Sequence, residues 1–437
     1  MKKANLFKRI NEHFDSDPAR LPVISQDIEV YERPNLHLAT QELLSGKDDI
    51  ELVGIVEFDY DVSLAKLSRK SSAKDFDEGP IEYIDVSLAG NEKLACVKQA
   101  LYFFQDDGHA ITMLIAAQQH SYPPKIKVEV MGADREVAES FLRRLIEMTR
   151  QGKAYRGHVL SLERDCYGGV VVKFHTLPTI NRDEIILPED VLRRVEQQTI
   201  NFSQNVDRLR QAGRHIKRGI LLHGPPGTGK TLSAMYLAAR MPERTVLLIT
   251  GAGMGSIETA CTLARMLQPT TVVLEDVDLI GTQREHQMVD ANALLFELLN
   301  QMDGLSDDAD ILFILTTNRP DILEPALSAR PGRIDQAIEI PLPDKDCRRR
   351  LMELYGRGLK IDSSRWDILD ERTEGTSAAF IREMLRKAAL IAAVEQNGDS
   401  IQVDGRHLDE ALTELLVTGG ALTKSLLGAS SAGSDGE

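Results

Sequence analysis

The chain has 437 residues, a length that corresponds to roughly two or three domains of ordinary size. Hydrophobic residues make up 42% and charged residues 27%, so the composition is that of a folded globular protein rather than of a disordered chain. The formal net charge of -15 disfavours attraction of the whole surface to nucleic acid or to an anionic membrane, and a nucleic-acid motor is therefore a disfavoured class.

The cysteines form neither a metal-binding nor a disulfide pattern. They are far apart and make no C-x-x-C pair, so we expect buried free thiols and a reducing, cytoplasmic compartment. The four residues are Cys96, Cys166, Cys261 and Cys347. The basic N-terminus lacks the apolar core of a secretory signal, and no stretch approaches the length of a membrane span. The histidines include no H-E-x-x-H pair, so a fused zinc protease is not expected.

Residues 1 to 187 contain no motif that carries chemistry, and we predict a separate α+β domain that binds a substrate or partner. Leu6, Ile10 and Phe14 recur at helical spacing, which predicts an amphipathic helix facing the surface or a partner. Helical periodicity also predicts helices at 92–104 and 134–150. The polar stretch 68–80 is predicted to be a loop. Short apolar runs between turn residues predict strands at 52–58, 81–86, 111–116, 126–131, 158–162 and 170–174.

Helix and strand signals alternate from residue 188 to Pro341, which predicts an α/β fold with a parallel sheet. The sequence Leu187-Pro188-Glu189-Asp190 resembles a helix start, because proline is preset for the first turn and acids favour the N-terminal end of the helix dipole. Buried strands are predicted at 245–249, 271–274 and 311–316.

After Pro341 the pattern becomes helical and predicts a small helical lid, with helices at 348–355, 378–395 and 407–416. The run Arg348-Arg349-Arg350 is predicted to be a solvated charged face. The last residues are rich in Gly, Ser and Ala and are predicted to be disordered. The predicted domains are therefore 1–187, 188–342 and 343–417, followed by the tail 418–437.

A glycine-rich stretch joins a short apolar run to a segment with helical character. It reads Gly224-Pro225-Pro226-Gly227-Thr228-Gly229-Lys230-Thr231 and matches the pattern G-x-x-x-x-G-K-[ST]. In this pattern the backbone N–H groups curl around phosphates, Lys230 reaches the outer phosphates, and the Thr231 hydroxyl coordinates Mg²⁺. A glycine-lysine turn also occurs without nucleotide, so the motif needs support from its context.

That support comes from acidic residues at the end of the predicted strand 271–274. Glu275, Asp276 and Asp278 follow the strand directly. In P-loop NTPases, carboxylates at such a strand end hold the metal and orient the attacking water. An acidic loop at a strand end is common by itself, but its partnership with the phosphate loop favours a nucleotide site.

Two further motifs follow, and they read Leu315-Thr316-Thr317-Asn318-Arg319-Pro320 and Arg330-Pro331-Gly332-Arg333-Ile334-Asp335. The four motifs in this order resemble the AAA subfamily of the AAA+ ATPases, of bacterial type, over roughly residues 187 to 416. The resemblance implies a P-loop NTPase parallel sheet with a C-terminal helical lid. It also implies ATP and Mg²⁺ as ligands, hydrolysis of ATP, and a hexameric ring of identical subunits.

The resemblance implies roles for single residues as well. Asn318 looks like the sensor that hydrogen-bonds the γ-phosphate or the attacking water. Arg330 and Arg333 look like arginine fingers that reach the nucleotide of a neighbouring subunit and stabilise charge on the transferred phosphoryl group. The segment 375–379 resembles the lid segment near adenine, which makes Ala378 a candidate contact.

The order of the acids departs from the family pattern. An aspartate usually precedes a glutamate, whereas here Glu275 precedes Asp276, an order that resembles the mitochondrial Rieske-protein translocase branch. Asp278 matches the family's following acid and sets the register. We therefore assign Glu275, with Thr231, to the metal and Asp276 to activation of water. Because Asp276 is one methylene shorter than the usual base, we expect a change in reach rather than in chemistry.

Two other departures concern the pore and the fingers. Peptide-threading members carry an aromatic residue in a pore loop after the second strand, whereas this chain has Gly251-Ala252-Gly253-Met254-Gly255-Ser256. The stretch from Pro325 to Arg330 is one residue longer than in the usual pattern, so the sequence leaves open which of Arg330 and Arg333 is the main finger.

Two functional hypotheses follow from these patterns. In the first, a ring-forming, chaperone-like AAA protein hydrolyses ATP to remodel a protein substrate selected by residues before Leu187. In the second, ATP fixes the conformation of an assembly or scaffold protein, and hydrolysis only resets it. The inverted acid order and the missing aromatic residue distinguish this chain from an ordinary threading protein. Both features favour the second hypothesis.

Overall fold

The structure, a computed structural model, describes residues 6–47, 49–57, 62–72, 75–118, 123–166, 168–250, 257–278, 291–321, 334–361, 366–396 and 401–415. The chain divides into two compact units. The first is Met1–His175 with Thr262–Gln268, and the second is Thr176–Cys261 with Pro269–Glu437. Within the described ranges, no helix is both long enough and apolar enough to cross a bilayer.

The first unit is built on an antiparallel sheet. Its strands are β1 (Val23–Glu29), β2 (Glu51–Glu57), β3 (Phe76–Gly79), β4 (Glu82–Ser87), β5 (Lys93–Asp106), β6 (His109–Gln118) and β7 (Lys125–Gly132). They lie in the order β1-β7-β6-β5-β2-β3, and β4 pairs with the first half of β5. The unit also contains a hairpin of β8 (Val159–Arg164) and β9 (Val170–His175). Its helices are α1 (Leu6–His13), α2 (Arg33–Leu44), α3 (Leu64–Leu67) and α4 (Arg135–Arg150).

Strand β5 corrects the prediction of a helix at 92–104. It pairs with β6 through a two-residue turn in which Asp107 and Gly108 have φ of 50° and 78°, as a tight hairpin requires. Side chains from Ala100 to Phe104 are all buried, and they alternate between two cores on opposite faces of the sheet. A continuous apolar run in the sequence does not distinguish a strand buried on both faces from a helix. Here the run is a strand, because it pairs with neighbouring strands along both of its edges.

Two other local predictions for this unit were wrong. The apolar face of α1 does not face the surface, because Leu6 and Ile10 are fully buried and Phe14 is 6% exposed in the core under the sheet. The predicted loop 68–80 contains β3, which pairs with β2. The predicted strands and the helix at 134–150 are confirmed, and α4 begins at the N-cap Asp134, whose carboxylate accepts from the Val137 amide at 2.9 Å.

The second unit contains a parallel sheet. Its strands are β10 (Arg218–His223), β11 (Thr245–Ile249), β12 (Thr270–Leu274), β13 (Ile311–Thr317) and β14 (Gln336–Glu339), in the order β14-β10-β13-β12-β11. The helices in this part of the chain are α5 (Glu189–Glu196), α6 (Phe202–Gln204), α7 (Val206–Gln211), α8 (Lys230–Ala239), α9 (Ile257–Met266) and α10 (Ala291–Asp303), and α9 from Thr262 onward is counted with the first unit. Every residue of β12 and β13 is buried, as expected for central parallel strands. The predicted α/β fold with its parallel sheet is confirmed.

The strand order places a crevice at the carboxyl ends of the central strands. β10 lies between β14 and β13, so the chain leaves β10, passes through β11 and β12, and returns to pair with β10 as β13. Ligands of open parallel sheets bind outside the carboxyl ends of strands at such a reversal. The ends of β10, β12 and β13 are therefore the region in which to look for a site.

A small helical subdomain follows, as predicted. It consists of α11 (Lys345–Tyr355), α12 (Trp366–Arg372), α13 (Ala378–Glu395) and α14 (Gly405–Thr413), with a short parallel pair of β15 (Lys360–Ile361) and β16 (Gln402–Val403). Phe380, Met384 and Leu385 of α13 lie at its apolar core. The predicted disordered tail 418–437 lies outside the described residues.

Arg348 does not lie on a solvated face. It is 7% exposed and donates from Nε to Asp370 Oδ1 at 2.9 Å, while Nη1 donates to the Pro343 carbonyl at 3.1 Å. Asp370 is 2% exposed, so α11 and α12 are joined by a buried ion pair. The prediction fits Arg350, which is exposed, because only some positions of a charged run point outward from a helix.

The cysteines are mostly buried, but Cys166 is exposed, which corrects the expectation for that residue. Burial raises the pKa of Cys96 to about 11 and that of Cys347 to about 12, so both thiols stay protonated near neutral pH.

Replacing Arg348 with alanine should destabilise the lid, because it leaves the Asp370 carboxylate buried without its nearest partner. We expect the free energy of unfolding to fall by about 3 kcal/mol, as when one member of a buried pair is removed. Urea unfolding followed by the fluorescence of Trp366, the single tryptophan of the chain and part of α12, measures the change. Arg350→Ala is the matched control and should change the value by less than about 0.5 kcal/mol. Equal losses for the two variants would contradict the buried-pair interpretation.

Candidate nucleotide site

The phosphate loop connects β10 to α8 at the crevice. Gly224 and Gly227 have φ of 146° and 74°, backbone conformations that residues with a side chain rarely adopt. A Cβ atom at Gly224 would lie 2.2 Å from the Ile340 carbonyl oxygen, and one at Gly227 would lie 2.7 Å from Ser377 Oγ. Both glycines are therefore required by close approach as well as by backbone shape.

Lys230 is the first residue of α8 and points back into the loop. It is 5% exposed, and its ammonium donates to the carbonyl oxygens of Gly224 at 2.9 Å and Pro225 at 2.7 Å. Burial lowers its pKa, and the nearby carboxylates of Asp276 and Asp278 oppose that shift. The loop thus holds the ammonium group in place through two neutral carbonyl oxygens. A phosphate oxygen can take over from these acceptors with little change in geometry.

Glu275 and Thr231 lie together beside the loop. The Glu275 carboxylate accepts a hydrogen bond from the Thr231 side chain, while burial and the charge of Asp276 raise its pKa. Among the described residues, its Oε1 atom is buried and has no hydrogen-bond partner. A hydroxyl and an orphaned carboxylate oxygen are hard ligands, so the chemistry of these two residues, which the sequence predicts to hold the metal, fits Mg²⁺.

Asp276 stands next to Glu275 but is held differently. Its φ is 47°, and its carboxylate accepts from Asn318 Nδ2 at 3.3 Å. Burial raises its pKa most, Asp278 raises it further, and Lys230 and Asn318 oppose the shift. The structure therefore brings the predicted base and the predicted sensor into contact, with Lys230 close enough to interact with the base.

Sequence analysis did not identify every residue that shapes the site. Thr316 and Thr317 are fully buried at the end of β13 and form hydrogen bonds with the segment 276–278. Sequence analysis used Asp278 only to align the acids with the family pattern and gave it no role in the site. The signal available was two consecutive threonines directly before Asn318 in an otherwise apolar strand, where a hydroxyl needs a partner.

An apolar cleft opens next to the phosphate loop on the lid side. Ala378 lies in it, 9% exposed, and the neighbouring Ala379 amide donates to the Gly227 carbonyl oxygen at 3.0 Å. Sequence analysis did not predict the other apolar walls, which are Ile185, Ile186, Leu187, Leu232, Leu351 and Tyr355. This lining is mostly apolar, which is the chemistry that would contact a nucleobase whose phosphates lie in the loop.

Some predicted positions lie outside the described residues. Arg330 and Arg333 are among them, and so is the segment 251–256 that corresponds to the pore loop. The remaining predicted residues, from Gly224 to Thr231 together with Glu275, Asp276, Asn318 and Ala378, are all described and lie in or beside the crevice.

Gly227→Ala should weaken ATP binding, because the new methyl group would also lie 2.9 Å from Ala379 Cβ and would push the loop away from the lid. We expect a loss of about tenfold or more in affinity, equal to at least about 1.4 kcal/mol. Titration with a fluorescent ATP analogue measures it. The control is Gly213→Ala, which carries a similar backbone strain at φ 68° but would meet no atom of the described residues within 4 Å. If both variants bind like the parent, the close contact between lid and loop is not needed for binding.

Comparison with known proteins agrees with the motifs. Residues 220–342 match the family described as "ATPase family associated with various cellular activities (AAA)". The FtsH protein of Mycobacterium leprae, named an ATP-dependent zinc metalloprotease, is 35% identical over 229 residues, which are 49% of this chain and 29% of that protein. The proteasome-activating nucleotidase of Pyrococcus abyssi is 34% identical over 199 residues, which are 43% of this chain and 50% of that protein.

A solved structure, the FIGL-1 AAA domain in complex with ADP, aligns with a TM-score of 0.45 at 21% identity, covering 54% of this chain and 85% of that one. The chain spans half or less of the length of the two relatives named above. The match to the family covers the phosphate loop, the acids and the sensor position, which are the elements that the crevice brings together. The chain therefore carries, over residues 220–342, a domain of the AAA family of ATPases.

Proposed function

We propose that this protein hydrolyses ATP to ADP and phosphate in the crevice of its second unit. The observation that carries the proposal is the division of labour between two adjacent acids. Glu275 contacts Thr231 at the phosphate loop, and Asp276 contacts Asn318, which follows the end of β13. Phosphoryl transfer to water needs one group for the metal and another for the nucleophile, and this arrangement supplies both.

The chain's own residues then have separate tasks. The backbone of the phosphate loop and the ammonium of Lys230 bind the outer phosphates and neutralise charge that spreads over them in the transition state. Asp276 orients and deprotonates water, and its raised pKa brings it closer to the range of a useful base. Asn318 holds the Asp276 carboxylate and contacts the water or the γ-phosphate. Thr231 and Glu275 would hold Mg²⁺, which would supply Lewis-acid stabilisation of phosphate charge.

Asp276→Asn should keep binding of ATP and Mg²⁺ but lose hydrolysis, because the amide cannot accept a proton. General-base removal costs about 10² to 10⁴ in rate. Glu275→Gln should instead raise the Mg²⁺ concentration needed for half-maximal hydrolysis. Steady-state phosphate release at varied Mg²⁺ separates the two effects, and Asp307→Asn, at an exposed position, is the control. Normal hydrolysis by Asp276→Asn would mean that the acid roles are reversed or that the base lies elsewhere.

The protein is further proposed to work as a ring, hexameric as in the family it resembles. An arginine finger that completes a neighbour's site requires a head-to-tail interface, and such interfaces close into rings or continue as helices. Arg330 and Arg333 are the proposed fingers on sequence grounds. Native mass spectrometry with and without ATP measures the subunit number.

Loss of both Arg330 and Arg333 should reduce hydrolysis by about 10³ or more while ATP binding stays nearly intact. Mixing this double variant with Asp276→Asn should restore part of the activity. The double variant keeps an intact site that can accept an arginine finger from a neighbour, and the Asp276→Asn subunit keeps the arginines that it can donate. Dilution that dissolves the ring should remove the recovery. Mixtures that co-assemble and yet stay inactive would show that these arginines do not act across subunits.

A protein is the proposed target of the ATP-driven change. The relatives' names describe an ATP-dependent protease and a proteasome-activating nucleotidase, both of which imply work on proteins. The zinc protease activity is not carried over, because the 437 residues contain no H-E-x-x-H pair. Residues 1–187 are the proposed substrate- or partner-binding domain, ahead of the ATPase at 188–342 and the lid at 343–417.

A nucleotide-controlled scaffold is the second candidate. It is favoured by the absence of an aromatic residue from 251–256, which removes the grip that threading members use. The ATPase rate with and without candidate protein substrates distinguishes the two, since a remodelling protein is stimulated by its substrate and a scaffold is not. Proteins that co-purify with Asp276→Asn, which holds ATP, would identify the candidates to test.

A further inference from the structure

The end of β13 holds the backbone of the acidic segment through Thr316. The Asp276 amide donates to Thr316 Oγ1 at 3.0 Å, and the Val277 amide donates to the Thr316 carbonyl oxygen at 3.0 Å. Thr316 is fully buried, so both bonds are shielded from water. They fix Asp276 in its left-handed conformation.

The acidic segment holds the end of β13 in return, through Asp278. The Thr317 hydroxyl donates to Asp278 Oδ1 at 2.8 Å, and the Asn318 amide donates to the same oxygen at 3.2 Å. Asp278 is 7% exposed and Thr317 is fully buried. We name the four bonds made by Thr316, Thr317 and Asp278 the strand-end clasp.

We propose that Asp278 and Thr317 are positioning residues for ATP hydrolysis, which set where Asn318 stands relative to Asp276. This inference rests on the proposed ATPase function. It assigns Asp278 to neither the metal nor the water, since its Oδ1 already accepts from the Thr317 hydroxyl and the Asn318 amide.

The geometry gives the reason. Asn318 directly follows Thr317, so pinning the Asn318 amide and the Thr317 hydroxyl to one oxygen fixes where the Asn318 side chain starts. From there its Nδ2 reaches Asp276 Oδ1 at 3.3 Å. Without the clasp, the chain beyond β13 would have no polar tie to Asp278, and a displacement of about 1 Å in a positioning group can cost about 10² in rate.

The test compares three variants of full-length protein. Thr317→Val removes the hydroxyl and keeps the shape, Thr317→Ser keeps the hydroxyl, and Thr271→Val is the matched control. Thr271 is fully buried in β12, and its hydroxyl oxygen accepts from Arg244 Nε at 3.0 Å, so the control also removes a buried hydrogen bond to a charged group. Measured quantities are kcat, the KM for ATP, the affinity for a fluorescent ATP analogue and the Tm.

We expect Thr317→Val to lower kcat by about 10- to 100-fold, the usual cost of losing a residue that orients a reacting group, with KM and affinity within about threefold. Thr317→Ser should recover most of the parent's kcat. Thr271→Val should keep the parent's kcat while lowering the Tm about as much as Thr317→Val does. An unchanged kcat in Thr317→Val overturns the proposal, as does an equal loss of kcat in Thr271→Val. A parent protein that does not hydrolyse ATP overturns the proposed function itself.

Asp278→Asn keeps the test open if Thr317→Val does not fold. The asparagine retains an acceptor oxygen for Thr317 and Asn318 but is a poor metal ligand. We expect kcat within about tenfold of the parent and an unchanged Mg²⁺ dependence, because removing an outer partner costs less than removing a ligand. A strong rise in the Mg²⁺ concentration required would make Asp278 a metal-binding residue and overturn the assignment.

Discussion

The electrostatic crowding at the end of β12 governs the arrangement of the site. Glu275, Asp276 and Asp278 lie within four consecutive residues, all partly or fully removed from water, and the ammonium of Lys230 faces two of them. Burial and mutual repulsion raise the pKa of Glu275 and of Asp276. Such a cluster is costly unless each carboxylate has its own compensating group. The Thr317 hydroxyl compensates Asp278, and Asn318 helps to compensate Asp276. Glu275 keeps one oxygen that has no partner among the described residues, and a divalent cation there would complete the charge balance.

Much of this could be predicted from the sequence, because the informative features are local. Buried parallel strands read as short continuous apolar runs, and the predicted bounds 245–249 and 311–316 differ from those of β11 and β13 by at most one residue. The phosphate loop is specified by glycine positions and a lysine, so it needs no tertiary information. The topology of a parallel sheet then brings strand ends together, and the motifs meet in space although Lys230 and Asn318 are 88 positions apart in the chain.

The features that sequence did not predict depend on partners far away in the chain. The run 100–104 is a strand because β5 has neighbours on both edges and a core on each face. Arg348 is buried because Asp370, from the next helix, is there to pair with it. The strand-end clasp joins residues about forty positions apart and uses threonines, which also occur in strands for steric reasons alone. Residue type identified which groups could react, whereas the groups that hold them became visible only in three dimensions.

The acid order itself has a physical interpretation in the backbone at position 276. A residue with φ of 47° lies in the left-handed region, where aspartate and asparagine are tolerated better than longer side chains because a short polar group can bond locally. An aspartate is thus a better choice than a glutamate for the conformation that Thr316 and Val277 impose on this segment. The longer glutamate is left at position 275, where it reaches Thr231 beside the phosphate loop. Inversion of the two acids is therefore consistent with the shape of the backbone selecting the residue type at position 276, while the proposed metal and water roles stay with the first and the second position after the strand.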